Sequence, residues 1–431
     1  MLLAAPSAAS AAKRYASPSG SGTGCTAPNT SPGPCDLTTA ITGPGANPMD
    51  EVIVEPGNYT VTTELEDTIP LVIHGVSGAP RPAVTVMGSY GLQINNAGTT
   101  VRHLGIIGGS GAGFALNAGG TIDDVIVRGS PTGIAACTFR TFDTVLRNSV
   151  CWGPSGLYQY GNGGGGVLYR YTLRNDTLIG GANGMGLALG NNSGGYNAEI
   201  DAFNVIARGG SADVRAGTDS SAQSGANVVL THSNYAKTTV TGTNASVTPP
   251  TTSGNQTAFP VFVDLAHGNF RERFNSPTVD AGLNDALNGP TDADGRPRKI
   301  GPATDIGAYE LPPDTFKGVT IKTHSKRVKK GKVAVSVRCP AGTPSPCVGK
   351  LTLTYKPPGK KGTKKAGSAS FSIPAAKTRP VKVKLSQAVL DLLKSHKSIA
   401  MTATAVATDA RKTKKTTAAS IKVRRSKAKQ K

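Results

Sequence analysis

Short apolar alternations of period two, most of them opened by a glycine, recur between Gly91 and Tyr235. The openers are Gly91-Leu92-Gln93-Ile94, Gly113-Phe114-Ala115-Leu116, Gly133-Ile134-Ala135-Ala136, Gly156-Leu157-Tyr158-Gln159, Gly186-Leu187-Ala188-Leu189 and a degenerate Ala212-Asp213-Val214. After each, a Gly/Asn-rich stretch leads to a second alternation. These begin near Val101, Ile122, Leu146, Leu173, Ala202 and Leu230, at intervals of 21, 24, 27, 29 and 28 residues. Alternation of this period predicts strands, not helices. Its recurrence predicts stacked supersecondary units, because a coil can bury its inward face only against the coils above and below. The expected fold class is all-β: a single-stranded parallel β-helix followed by a small antiparallel β-sandwich.

The flanks extend this pattern. A short capping helix is expected over residues 36–41, a strand-turn-strand over 52–61, and strands at 71–73 and 83–86. A solenoid end exposes an unpaired core and has to be capped. The loop between Cys25 and Cys35 is a candidate staple for that cap. Residues 236–310 are less periodic and read as a closing segment. Leu311-Pro312-Pro313 is a natural linker. Beyond it, alternating segments at 318–323, 332–338, 350–355, 366–373, 380–385, 399–407 and 416–423 predict an antiparallel sandwich of immunoglobulin-like type. Ser386 is the N-cap candidate of one short helix running to Leu393. The domain reading is a signal-peptide remnant at 1–14, the β-helix with its cap and closing segment at 15–310, a linker at 311–317, the sandwich at 318–423 and a disordered basic tail at 424–431. The first twelve residues are small and apolar, and Ala9-Ser10-Ala11 looks like a cleavage site, without the usual basic n-region.

The 431 residues include 54 glycines and only 5% aromatics, which disfavours a helical bundle and suits a fold with frequent tight corners. No apolar run reaches the length of about 18 residues that spans a bilayer. The six cysteines fall in three close pairs, Cys25 with Cys35, Cys137 with Cys151 and Cys339 with Cys347. Even number, local pairing and the lack of Cys-x-x-Cys spacing point to disulfides in an oxidising compartment, with free buried thiols as the alternative. The expected localisation is extracellular, secreted or at the cell surface.

Charge divides the chain sharply. Residues 313–431 hold 30 Lys and Arg against three Asp, a net +27, which leaves −6 on the remainder of a chain at +21. A module of that charge seeks anions. Export, sparse aromatic interleaving and the lack of a recognition helix or zinc finger argue against a specific nucleic acid. Lysines spread through turns attract as point charges, so anionic cell-wall polymers or lipid headgroups are the expected partners, with a soluble spacer as the plain alternative. The chain is expected to be a monomer.

The flanks also carry a likeness. Tyr15-Ala16-Ser17-Pro18-Ser19-Gly20, the first cysteine pair and the turn Pro56-Gly57-Asn58-Tyr59 resemble bacterial right-handed parallel β-helix proteins of pectate-lyase-like architecture. Ser276-Pro277-Thr278-Val279-Asp280-Ala281-Gly282, Asp292-Ala293-Asp294-Gly295-Arg296-Pro297-Arg298 and Asp305-Ile306-Gly307-Ala308-Tyr309-Glu310 resemble the choice-of-anchor Q group within that class. The resemblance spans residues 15–310 and implies right-handed coiling and secretion. It does not imply pectate lyase activity, because one fold hosts many functions. The basic sandwich is similar to repeats appended to secreted actinobacterial proteins and departs from the usual sorting-signal or transmembrane anchors.

Equivalent positions in successive coils stack about 4.8 Å apart. Aligning the second strands puts Arg102, Asp123, Arg147 and Arg174 in one column and His103, Asp124, Asn148 and Asn175 in the next. The second column reads as a structural side-chain ladder at a turn. The first reads either as a solvated ionic ladder or as a guanidinium strip for carboxylated or sulfated sugars, with Arg147 and Arg174 as its binding members. Trp152, Tyr158, Tyr160, Tyr169 and Tyr171 cluster in sequence beside the glycine-rich loop at 161–166 and offer faces for sugar rings; the plain alternative is that they fill the coil. Among carboxylates, Glu199 and Asp201 share a strand face, with Asp213 and Asp219 one coil on, and are the candidates for glycoside chemistry. Asp292-x-Asp294-Gly295 echoes the start of a calcium loop without the closing Glu, so a turn is expected there; no cofactor and no metal site are assigned. The reading is an exported cell-surface protein that binds polysaccharide on a β-helix face. A polysaccharide lyase or glycoside hydrolase acting on uronic-acid polymers is the alternative, and a structural stalk or adhesin the second.

Overall fold

The computed structural model describes residues 11–140, 143–160, 168–192, 196–218, 224–322, 325–359 and 361–425, with the side chains of 191 and 192 outside that description. The loop at 161–166, Asp219, Ala9 and Ser10 of the expected cleavage site and the end of the basic tail therefore lie outside the described residues. The chain divides into two compact units, the first ending at Leu311 and the second beginning at Pro312.

The first unit is a parallel β-solenoid with three faces. Sheet 1 stacks Lys13–Ala16, Glu51–Val54, Val72–Gly75, the first halves of Thr100–Gly108 and Thr121–Gly129, then Thr144–Arg147, Leu168–Arg174, Asn197–Phe203, Gly225–Thr231 and Ala245–Val247. Sheet 2 stacks Asn58–Val61, Ala83–Val86, the second halves of the same two long strands, Val150–Gly153, Thr177–Gly180 and Ile206–Arg208. Sheet 3 has eight parallel strands, from Leu65–Glu66 to Thr238–Thr241. The all-β, coil-upon-coil architecture is the one expected from the alternation.

The second alternations from Val101 to Ala202 each bend from sheet 1 into sheet 2 at a short corner with one left-handed residue. In Thr100–Gly108 the buried positions are Val101, Leu104 and Ile106, so the period-two phase slips at His103. His103 is left-handed (φ 55°), as are Asp124, Asn148, Asn175 and Asn204 one coil after another. Asn and Asp tolerate this conformation better than most residues. A corner this short interrupts no apolar run, which is why the sequence reads as one strand.

The solenoid interior is one continuous apolar cluster. Cys137 of sheet 3 and Cys151 of sheet 2 are bonded across it. At the amino end, helix α1 (Leu37–Thr42) is N-capped by Asp36, whose carboxylate accepts from the Thr39 amide at 2.9 Å. The buried Arg14 donates to the carbonyls of Ala40 (2.8 Å) and Thr39 (3.0 Å), which satisfies the helix end. The Cys25–Cys35 disulfide lies in this cap.

The closing segment lies along the flank of the solenoid. Phe262, Phe270, Ile306, Ala308 and Tyr309 form a second apolar cluster against Val150, Ile179 and Ile206, which face outward from sheet 2. The same segment covers the left-handed corner: the Asn288 carbonyl accepts from Asn148 (3.2 Å) and Asn175 (3.1 Å), and the Leu283 carbonyl from Asn204 (3.0 Å).

The second unit has two sheets. One holds Thr320–Ile321, Lys332–Arg338 and Thr378–Lys384, all antiparallel. The other holds Lys326–Arg327, Lys414–Arg424, Ser398–Thr408, Cys347–Tyr355 and Lys364–Ile373, antiparallel except at its first pair. Both sheets contribute to one core, which includes Val333, Val335, Leu351, Leu353, Val383 and Ala405. Helix α2 (Gln387–Ser395) follows Ser386. Cys339 and Cys347 form the third disulfide. Among the described residues, no helix is long and apolar enough to cross a membrane.

Candidate functional site

Arg102, Asp123, Arg147 and Arg174 are direct register neighbours on sheet 1. They do not form an open guanidinium strip. Arg147 pairs with Asp123 at 2.6 Å and also donates to the Leu287 carbonyl at 3.3 Å. Arg174 is only 7% exposed, pairs with Asp285 at 3.0 Å and stacks 4.4 Å over the Phe203 ring. The two arginines assigned to glycan recognition are thus engaged within the protein. The closing segment supplies Leu287 and Asp285, and its course along the flank has no periodic signature.

The structure also separates the five aromatic residues read as one cluster. Tyr171 is fully buried; its hydroxyl lies 2.7 Å from that of Tyr196, and its ring stacks 5.6 Å from Phe139. Burial pushes the Tyr171 phenol up. Tyr169 packs at the edge of the same core, stacked 4.7 Å from Tyr196. Shared parity placed these two on one face, and that face is the inward one. Tyr158 lies on the outer side of sheet 3, between the inward Leu157 and Gln159, with its ring 4.6 Å from Tyr160. Tyr90 and Arg140 belong to this outer patch: the Arg140 guanidinium donates to the Tyr90 hydroxyl at 2.8 Å and sits 5.6 Å from its ring. Burial raises the Tyr160 phenol, and Tyr158 and Tyr90 add to it.

Trp152 stands apart, facing outward on sheet 2 in register with Arg128 on one side and Ile179 on the other. The Arg128 guanidinium lies 5.0 Å from the indole centroid. Phe270 meets the ring edge-on at 5.5 Å, and Gly268 backs onto it so closely that a Cβ there would be 2.3 Å from the ring. The exposed remainder of the indole lines a groove of about 500 Å³ with Arg128, Pro131, Ile134, Pro154 and Asn183. Gly184 closes one side; a Cβ there would stand 1.5 Å from the Pro154 carbonyl oxygen, so only glycine fits. Arg128 is exposed and makes no ion pair among the described residues. An indole, a guanidinium without an ion pair among the described residues and an amide thus line one groove. Arg128 was not singled out in the sequence, although the 24-residue interval that pairs Ile122 with Leu146 also pairs Arg128 with Trp152.

The carboxylate candidates divide. Glu199 and Asp201 do share the outward face of Asn197–Phe203. Arg170 donates to Glu199 at 3.2 Å, while burial, and then the Glu199 charge, raise the Asp201 carboxyl. Asp213 lies on sheet 3, buried, paired with Arg208 at 3.0 Å and accepting the amides of Gly209, Ala236 and Lys237. It is a structural group there and no partner of Glu199 or Asp201. Asp292 accepts the amides of Asp294, Arg296 and Glu310, and Asp294 pairs with Arg271 and Arg296. Among the described residues, no group of three or more His, Cys, Asp or Glu is placed to hold a metal ion.

No protein-family model matches the chain, and no curated protein matches it. Among solved structures it is similar to the pectate lyase Pel9A, at 15% identity over 70% of this chain and 97% of that chain, with a TM-score of 0.36. It is also similar to YbhC of Escherichia coli, at 12% identity over 57% and 87% with a TM-score of 0.35, and to the pectin methylesterase of Aspergillus niger, at 13% identity over 57% and 98% with a TM-score of 0.31. Likenesses at these scores carry no inference about activity.

Proposed function

We propose that this is an exported polysaccharide-binding protein, with a solenoid that takes an acidic sugar in the Trp152 groove and a basic second unit that holds it on anionic envelope polymers. The observation that carries the reading is Arg128, without an ion pair among the described residues and seated over the Trp152 ring at the groove. An indole face suits the C–H face of a sugar ring, and a guanidinium suits its carboxylate or sulfate. All six cysteines are in disulfides, which supports an oxidising compartment. The choice-of-anchor Q organisation and the immunoglobulin-like character of the second unit are part of this proposal. So is the outer patch of Tyr90, Tyr158, Tyr160 and Arg140, as a second contact for a long chain.

The test is a glycan array with the full chain, followed by affinity measurement on the best acidic glycan. Trp152→Ala and Arg128→Ala are each expected to weaken binding about tenfold, the scale of one lost stacking or charge-assisted contact. Unchanged binding by both variants overturns the reading. Deleting residues 313–431 is expected to abolish salt-sensitive retention on cell walls; equal retention in low salt excludes the anchoring role.

A catalytic reading rests on a different observation, the raised Asp201 beside an arginine-held Glu199 on one outward face. It requires release of reducing or unsaturated ends from a polysaccharide, and loss of that release in Glu199→Gln.

A further inference from the structure

Lys332 and Lys384 stand directly opposite each other across the antiparallel pair Lys332–Arg338 and Thr378–Lys384. Like charges in that position repel. Lys330 lies in the tight turn before Lys332 with φ at 48°, a conformation that glycine or asparagine adopts more readily. Lys365, near the start of Lys364–Ile373, joins them from the other sheet, where the Ser386 amide donates to the Ala366 carbonyl at 2.7 Å. Gly367 permits this approach; a Cβ there would stand 2.1 Å from the Lys384 carbonyl oxygen. The four lysines line a cleft of about 640 Å³. All four are exposed, and none makes an ion pair among the described residues. The cleft is also lined by Ser386 and Gln387 at the start of α2, and the Ser386 side chain makes no cap bond.

We propose that this cleft is a discrete site for the phosphate groups of an anionic polymer. The proposal rests on the reading that the second unit engages such polymers, and narrows it from diffuse attraction to a place. Four lysines line the cleft with no carboxylate in its lining, an arrangement that a multivalent anion relieves. The lining contains lysines and no arginine. Lysines attract as point charges without a preferred plane, so the same ammonium groups gain more from a multiply charged phosphate than from a singly charged carboxylate.

The test uses the full chain, inorganic pyrophosphate as probe, acetate as the carboxylate control and constant ionic strength. Titration calorimetry is expected to show pyrophosphate bound at least tenfold more tightly than acetate. Lys332→Ala with Lys384→Ala is expected to lose at least tenfold in pyrophosphate affinity. Lys414→Ala with Lys422→Ala removes the same charge from exposed lysines outside the cleft and is expected to keep it. The first pair relieves a repulsion, so its melting temperature should be no lower than that of the parent protein. Equal losses in the two pairs, or no preference over acetate, overturn the site in favour of diffuse charge. Binding confined to phosphatidylglycerol vesicles, with none to pyrophosphate, overturns it in favour of a lipid surface. Envelope retention of the same variants reports separately on anchoring: lost pyrophosphate binding with intact retention leaves the site standing and removes only the anchoring role.

Discussion

The Asn175 side chain donates to the side-chain oxygen of Asn148 at 3.2 Å, one coil away, and both residues are left-handed. Asn204 donates to Asn175 at 2.9 Å, and Asn148 to Asp123 at 3.0 Å. The ladder lies where three successive coils turn from sheet 1 into sheet 2, and its side chains also hold the closing segment. One column of amides therefore sets the cross-section of the solenoid and binds its flank.

Asn175→Ala removes these buried bonds and puts a Cβ-bearing residue without side-chain compensation in left-handed backbone. A loss of about 2–4 kcal/mol is expected in urea unfolding. Asn175→Gly loses the bonds alone and should recover about 1 kcal/mol of that. Identical losses would show that the corner conformation contributes nothing.

Cys137–Cys151 ties sheet 3 to sheet 2 through the coil interior, with a sequence separation of 14. Replacing both with Ala should cost about 3 kcal/mol, most of it from the freer unfolded chain. Both residues are at most 1% exposed, so the bond should resist dilute reductant until the protein unfolds. Reduction in the native state, read by mass after thiol alkylation, would contradict a packed interior at that coil.

Glu272 is buried in the closing segment, where the Thr278 hydroxyl donates to it. Burial pushes its carboxyl up from 4.5 to about 8. Between those values the folded protein keeps a proton that the unfolded chain has released. Stability should therefore fall as pH rises from about 4.5 to about 8, by up to about 1.4 kcal/mol per pH unit, and level off above. Glu272→Gln should flatten that slope in thermal melts from pH 5 to pH 9. Parallel slopes in the two proteins would place the titration elsewhere.

Tyr171 and Trp152 should separate by role. Tyr171→Phe removes a buried hydroxyl that bonds to Tyr196 and to the Arg140 carbonyl, and should cost about 1–2 kcal/mol with glycan affinity unchanged. Trp152→Ala should lower glycan affinity and also loosen the packing of Phe270 on the flank of the solenoid. A glycan-affinity loss in Tyr171→Phe would show that the interior network shapes the outer face.

The chain itself declares a stacked all-β coil, the adjacency of Arg102, Asp123, Arg147 and Arg174, and the concentration of positive charge after Pro313. Each of these follows from local alternation, a countable interval or composition. Tertiary structure alone decided that Tyr169 and Tyr171 turn inward, that Asp213 meets Arg208, that the closing segment covers Arg174, and that four lysines share a cleft. Alternation states which residues lie on the same side of a strand and leaves open which side is the interior. Segments without a period find their place by matching surfaces far away in the chain, so nothing in their own residues announces what they will cover.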